Sequence, residues 1–112
     1  MTKIAIRMSA APRAIANLEP LGVFTGNQIY ILAHTSDEIT KQGILEAGFR
    51  DTLRHYGTTA FADSCTINVF RGRATGIAEA EFCRDEGIQI LIADTLTFMS
   101  TVAPNTTVLV LK

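Results

Sequence analysis

The sequence predicts a single α/β domain, residues 1–112, in which a mixed β-sheet is flanked by helices. Short runs rich in β-branched residues alternate with amphipathic helical segments, a pattern typical of a sheet covered by helices. A strand, helix and strand follow one another late in the chain, which favours parallel pairing through a crossover. A chain of 112 residues fits one domain. We expect the order β-β-β-α-β-α-β followed by a C-terminal strand.

The first part of the chain predicts three strands. Residues 3–9, KIAIRMS, alternate isoleucines with polar or small neighbours, as an opening strand does. Pro12 and Pro20 indicate an irregular connection after it. The pair Gly26-Asn27 then stands between two β-rich runs and supplies the positive φ values of a tight turn. We therefore expect a hairpin with strands near 22–25 and 28–34.

A long amphipathic helix is predicted over residues 35–57. Thr35 and Glu38 match a T-x-x-E capping box, Asp37 suits the positive helix start, and Gly57 ends the run. One side of the helical wheel collects apolar residues and is expected to be buried. Its members are Leu45, Phe49, Thr52, Leu53 and Tyr56.

The second part of the chain predicts a parallel βαβ unit and a last strand. Residues 65–70, CTINVF, are typical of a strand, residues 75–87 of a helix closed by a glycine, and residues 88–94 of a core strand. Residues 107–112, TVLVLK, predict the final strand. The acidic residues of the helix are expected on a solvated face. They are Glu79, Glu81, Asp85 and Glu86.

Charge and composition exclude several functional classes. Ten basic against eleven acidic residues give a formal net charge of −1, which disfavours general nucleic-acid binding. No apolar run approaches the roughly 20 residues that a membrane span needs. The N-terminal residues lack a long apolar segment, and the two cysteines lack C-x-x-C spacing. We expect a cytoplasmic protein with free thiols and no membrane contact.

The apolar content predicts association with a partner. Hydrophobic residues make up 47% of the chain, and the mean hydropathy is +0.23. A domain this small has a large surface for its volume, so part of that apolar content is expected at the surface. A homo-oligomer is the simplest expectation.

The basic glycine loop between the predicted strand and helix is the first candidate binding site. It contributes Arg71, Gly72, Arg73, Thr75 and Gly76. At the start of a helix, backbone N–H groups and the helix dipole favour an anion such as phosphate or carboxylate. The spacing fits neither the P-loop nor the G-x-G-x-x-G fingerprint. A tight turn with close helix packing therefore stays open as the alternative.

Nothing in the sequence nominates a nucleophile or a zinc site. His34, His55, Cys65 and Cys83 are too far apart in sequence for zinc-ligand spacing, and each has an ordinary structural explanation. No G-x-S-x-G elbow or Ser-His-Asp order with supporting local sequence is present. A binding protein is therefore favoured over an enzyme.

Residues 61–94 resemble the small nitrogenase-cofactor accessory proteins. These include the dinitrogenase iron–molybdenum cofactor biosynthesis and Fe-only nitrogenase accessory types, and the similarity extends over most of residues 1–94. It is carried by Asp63 and Cys65 before a strand, by Gly72 and Gly76 in the turn, and by Gly87-Ile88 leading into the next strand. The resemblance implies a ribonuclease-H-like fold without nuclease activity, which carries an iron–sulfur-based cofactor. Cys65 would then be a metal ligand.

We therefore expect a non-enzymatic protein that binds a small anionic ligand or a metal cofactor of unidentified type at the basic loop. Two alternatives from other classes stay open. One is an oligomerising interaction module that adds its C-terminal strand to a sheet edge. The other is a small enzyme that acts on a phosphorylated metabolite at the same loop.

Overall fold

A computed structural model describes residues 1–72, 76–95 and 102–111, and five strands within these ranges form one sheet. The strands are β1 (Lys3–Arg7), β2 (Gln28–Thr35), β3 (Thr66–Arg71), β4 (Ile90–Ala93) and β5 (Thr107–Val110). The helices are α1 (Ala11–Leu18), α2 (Gln42–Arg54), α3 (Thr59–Ser64) and α4 (Gly76–Glu86). None of the helices in these ranges is long and apolar enough to cross a membrane.

The sheet is parallel throughout, in the order β3-β2-β1-β4-β5. Alternate residues of each strand face opposite sides. On one side the isoleucines of β1, with Ile31 and Ile92, pack against α1, α2 and α3. On the other side Ala5, Leu32 and Leu91 pack against α4. The chain is thus an α/β protein with helices on both faces of the sheet.

The direction of the chain along the sheet reverses between β1 and β4. From β1 the chain moves outward to β2 and β3, while α1, α2 and α3 cover the first face. It then crosses the other face through α4 and returns to β4, which pairs with the opposite side of β1. This is the switch point of a doubly wound sheet.

The predictions of a mixed sheet and of an N-terminal hairpin are wrong. Residues Glu19–Leu21 form a 3-10 turn, Gly22 is left-handed at φ 73°, and residues 22–27 continue as turns. Gly26 does have the expected positive φ, and the side-chain amide of Asn27 donates to the Val23 carbonyl at 2.8 Å. This turn connects the end of a helix to β2 and does not join two strands directly. The helix carries the chain back along the sheet, so β2 runs parallel to β1.

The segment predicted as irregular contains α1 because Pro12 occupies its first turn. Proline has no backbone N–H, but an N–H in the first turn would have no partner within the helix. Pro12 therefore costs no hydrogen bond there and is compatible with the helix start. Ala11, Ala14 and Ile15 bury the inner face of this helix against the sheet.

The predicted helix over 35–57 is shorter at both ends, and its capping box does not form. Thr35 is the last residue of β2, and its hydroxyl accepts the N–H of Asp37 at 3.1 Å. The Asp37 carboxylate accepts the N–H groups of Ile39 and Thr40, both at 2.9 Å. This turn delays the helix until Gln42.

The end of the predicted helix also differs. The short helix α3 follows α2, with Thr58 as its N-cap accepting the Phe61 N–H at 3.1 Å. Of the predicted buried face, Leu53 is fully buried, but Tyr56 is exposed. The parallel crossover from β3 through α4 to β4 is confirmed, although these two strands are not neighbours in the sheet.

Candidate functional site

Because all five strands are parallel, their carboxyl ends lie along one edge of the sheet. Open α/β sheets bind ligands outside this edge, at the switch point, where the crossovers diverge and leave a crevice. Here β1 ends at Arg7 and the neighbouring β4 ends at Ala93. Polar side chains at these strand ends are therefore the first to examine.

Arg7 forms a bidentate ion pair with Glu79 of α4. Its Nε donates to Glu79 Oε2 at 3.2 Å, and its Nη2 donates to Oε1 at 2.6 Å. The Glu79 side chain is only 1% exposed and that of Arg7 is 16% exposed. The hydrogen bond to Glu79 raises the pKa of Arg7 above its ordinary value. The fork geometry fixes the guanidinium plane at the carboxyl edge.

His34 shares the same carboxylate. Its Nε2 lies 3.2 Å from Glu79 Oε2. Because an ionised carboxylate only accepts, Nε2 carries the proton in this contact. The imidazole ring stacks on Phe70 of β3, with ring centroids 5.0 Å apart and planes at 20°. Phe70 therefore covers one face of the ring and Glu79 contacts Nε2, while the side chain is 36% exposed.

Polar contacts also join β1 to β4 across the switch point. Ser9 Oγ donates to Asp94 Oδ1 at 2.9 Å. Arg7 Nη1 donates to Thr95 Oγ1 at 3.0 Å and lies 3.5 Å from Asp94 Oδ1. The hydrogen bond from Ser9, helped by the charge of Arg7, lowers the pKa of Asp94. One network thus connects both strands with α4.

A cavity of about 330 Å³ lies against this network. Arg7, Ser9 and His34 provide its polar wall, and Met8 and Leu32 provide its apolar wall. Ligand sites commonly have this size and this combination of an apolar body with a few fixed polar groups. The cavity is large enough for a small metabolite.

The predicted loop site lies at the same edge, after β3. Arg71 donates from Nε and Nη2 to Gln42 Oε1 at 3.3 and 3.2 Å. Gly72 has φ 70° and donates its N–H to the Thr35 carbonyl at 2.9 Å. A Cβ on Gly72 would lie 2.5 Å from Glu38 Oε1. Gly72 is therefore required by a tight turn, whatever else the loop does.

The remaining loop residues divide into two groups. Gly76 is exposed at the start of α4. Arg73 and Thr75 lie outside the described residues. A ligand contact from this loop stays a prediction.

Cys65, the predicted metal ligand, lies at the other edge of the sheet. It directly precedes β3, so it is roughly 20 Å from Arg71 at a rise of about 3.3 Å per residue. Its Sγ donates to the Ala62 carbonyl at 3.3 Å, and burial raises its pKa. The structure does not bring Cys65 and the loop together.

The second thiol does not complete a metal site in the described part of the chain either. Cys83 belongs to α4 and is fully buried against the sheet, and desolvation raises its pKa to about 12. Across residues 1–72, 76–95 and 102–111, no three His, Cys, Asp or Glu side chains are grouped as a metal site would need.

Sequence reasoning missed most of the carboxyl-edge cluster. The prediction that Glu79 lies on a solvated face is wrong, because it is the one charged side chain in the described ranges that is fully buried. The other three acidic residues of α4 are exposed, as predicted. A usable signal was the polar residue that ends each apolar strand, Arg7 after KIAI and Asp94 after ILIA.

Comparison with protein-family models, with curated proteins and with solved structures gave no match to this chain. The resemblance to the nitrogenase accessory proteins is accordingly neither supported nor refuted, and it stays a prediction.

Proposed function

We propose that the protein binds a small anionic metabolite in the carboxyl-edge cavity and does not transform it. The observation that carries this proposal is the Arg7 guanidinium, held by the buried Glu79 on a cavity wall shared with Ser9 and His34. Buried ion pairs can often be replaced by apolar residues without loss of stability. A buried charged network at the switch point of the sheet therefore favours a role in ligand binding.

The hydrogen-bonding capacity of the network favours an anion. Both oxygens of Glu79 are occupied by Arg7 and His34, and Asp94 Oδ1 accepts from Ser9. A guanidinium has five N–H donors; the contacts to Glu79 and Thr95 use three of them, and Nη1 also lies 3.5 Å from Asp94 Oδ1. The remaining donors suit a carboxylate or phosphate group.

The rest of the wall suggests what the anion carries. Met8 and Leu32 offer apolar surface for a carbon skeleton. Asp94 is not part of the wall, but it accepts from the lining residue Ser9 and its side chain is 38% exposed, so it suits a hydroxyl or amino donor beside the cavity. A hydroxy- or amino-substituted acid therefore fits better than bare phosphate.

In this proposal the basic loop is a second segment that contacts the ligand. Arg71 ends β3, which is two strands and roughly 10 Å from β1, and the other loop residues follow it in sequence: Gly72, Arg73, Thr75 and Gly76. In the proposal Arg71 and Arg73 meet the outer part of a longer ligand. The cytoplasmic location, the lack of nucleic-acid partners and the ribonuclease-H-like assignment stay predictions.

A thermal-shift titration tests the proposal directly. The probes are inorganic phosphate, glycerol 3-phosphate and malate, and a ligand at a hundredfold its Kd should add about 2.7 kcal/mol to stability. Ser9→Ala and His34→Gln should reduce the shift, and Arg7→Lys should reduce it by removing the fork while keeping the charge. Arg13→Gln, on the exposed side of α1, is the control. No shift with any probe at millimolar concentration would refute the proposal.

Carriage of an iron–sulfur-based cofactor rests on the resemblance alone. Its candidate ligand Cys65 is 4% exposed and lies at the opposite edge from the cavity. Anaerobic incubation with iron and sulfide, followed by visible absorption of wild type and Cys65→Ser, tests this alternative. An absorption band that needs Cys65 would favour the carrier function.

A second candidate function is association through β5, which forms one edge of the sheet. Leu109 on this strand is 44% exposed, and residues 107–111 carry no charge. Exposed apolar edge strands recruit further strands. Sedimentation should show a dimer that Leu109→Lys dissociates. A wild-type monomer at high concentration would reject this candidate.

A further inference from the structure

We propose that a second cavity, at the amino edge of the sheet, binds a small organic cation such as a primary amine. This cavity measures about 470 Å³ and lies between the turn that precedes β2 and the start of α3. Residues 24–27 form one wall, Thr58 and Phe61 belong to the other, and Glu19 lines it from the end of α1. The site is at the opposite end of the strands from the Arg7 cluster, and it does not depend on the proposed anion site.

The carboxylate of Glu19 is incompletely satisfied. Its Oε1 accepts the backbone N–H of Thr58 at 3.3 Å. Its Oε2 is buried and has no hydrogen-bond partner in the described part of the chain. Nor does any Lys, Arg or His among those residues form an ion pair with it. An unpartnered buried oxygen of this kind calls for a donor.

Gly57 shows how closely the carboxylate is packed on its inner side. A Cβ at Gly57 would lie 2.7 Å from Glu19 Oε2 and 2.5 Å from Cγ2 of Ile15. The terminal torsion of a glutamate has a broad energy well. In the proposal, the carboxylate rotates about this torsion when an ammonium group enters the cavity that Glu19 lines.

The wall of the cavity also favours a cation. The rings of Phe24 and Phe61 lie 5.3 Å apart at 45°, and aromatic faces attract ammonium groups. Among the described lining residues, Glu19 alone carries a charge. Asn27 has both amide atoms engaged, with Thr2 and Val23. Glu19 and the aromatic side chains of Phe24 and Phe61 are therefore the lining groups that favour an ammonium ligand.

Isothermal titration of the full chain tests this site with benzylamine as the probe. Benzyl alcohol and benzoate have the same ring without the positive charge, and both should bind at least tenfold more weakly. Glu19→Gln keeps an acceptor for Thr58 and removes the charge, so it should weaken benzylamine binding at least tenfold. A hydrogen bond to a charged group is worth enough for a change of this size.

Three further variants keep the test decisive. Ala60 lines the cavity and is exposed, so the ammonium group of Ala60→Lys should abolish benzylamine binding by repulsion and by competing for Glu19. Glu46→Gln, on α2, is the matched control and should bind as wild type does. Ser9→Ala should also leave benzylamine binding unchanged, which separates this site from the anion site. Absence of benzylamine binding at millimolar concentration, or equal binding by Glu19→Gln, would overturn the proposal.

Discussion

Arg7 and Glu79 are 72 residues apart in sequence, yet their side chains form a two-pronged ion pair that ties β1 to α4. Breaking such a pair leaves a charge without a partner in a buried position. Arg7→Met should therefore lower the free energy of unfolding by about 3 kcal/mol. The double variant Arg7→Met/Glu79→Leu should recover most of that loss, as urea titrations of both can show. A double variant that is as unstable as the sum of the single variants would contradict this account.

Two glycines should respond in opposite directions to alanine. Gly57→Ala places a methyl group against Ile15 and Glu19, and overpacking of this kind costs about 1–3 kcal/mol. Gly48, within α2, has no heavy atom within 4 Å of the added Cβ, so Gly48→Ala should stabilise by about 0.5–1 kcal/mol. Thermal unfolding of the two variants checks the contrast, which fails if both shift in the same direction.

Both cysteines should resist alkylation in the folded protein. Cys65 and Cys83 are buried, and desolvation raises the pKa of each thiol, that of Cys83 to about 12. Little thiolate is then present near pH 8. Iodoacetamide should label both residues quickly in urea and slowly in buffer, as intact mass measurements would show. Labelling of native Cys65 at the rate seen in urea would count against its burial.

The turn after β2 should add acid sensitivity to the fold. The hydroxyl of Thr40, with the N–H groups of Thr40 and Ile39, lowers the pKa of Asp37 from 3.8 to about 2. A carboxylate with a lowered folded pKa stabilises the protein above its unfolded pKa, and the effect is lost as the pH falls through the folded pKa. Wild type should therefore lose more stability than Asp37→Asn between about pH 5 and pH 2. Equal losses in urea titrations at the two pH values would disprove the assignment.

Much of the sheet could be predicted from local sequence, because β-branched runs such as IQILIAD fix where strands form. The pairing of those strands could not. A turn at Gly26-Asn27 fits a hairpin as well as a crossover, and only α1 decides between them. Pro12 made that helix hard to predict, since a proline can end a helix or begin one. The prediction of a mixed sheet followed from interpreting this one connection as a hairpin.

The candidate site was harder to predict for the same reason. The loop at Arg71 and Gly72 has a local signature, and it does lie at the carboxyl edge. The Arg7 cluster offers only the polar residues that end β1 and follow β4, because its members come from four separate parts of the chain. Only the order of the strands places Asp94 beside Ser9. Burial of Glu79 likewise depends on a partner far away in sequence.

The central position of β1 also constrains how the protein is made. On one side β1 pairs with β2, which follows within the first 35 residues, but on the other side it pairs with β4, at residues 90–93. A ribosome must therefore synthesise the chain as far as β4 while that side of β1 has no native partner. The crevice between β1 and β4 is completed only after β4 has emerged, so a ligand that binds there recognises only molecules in which that strand has been made and paired.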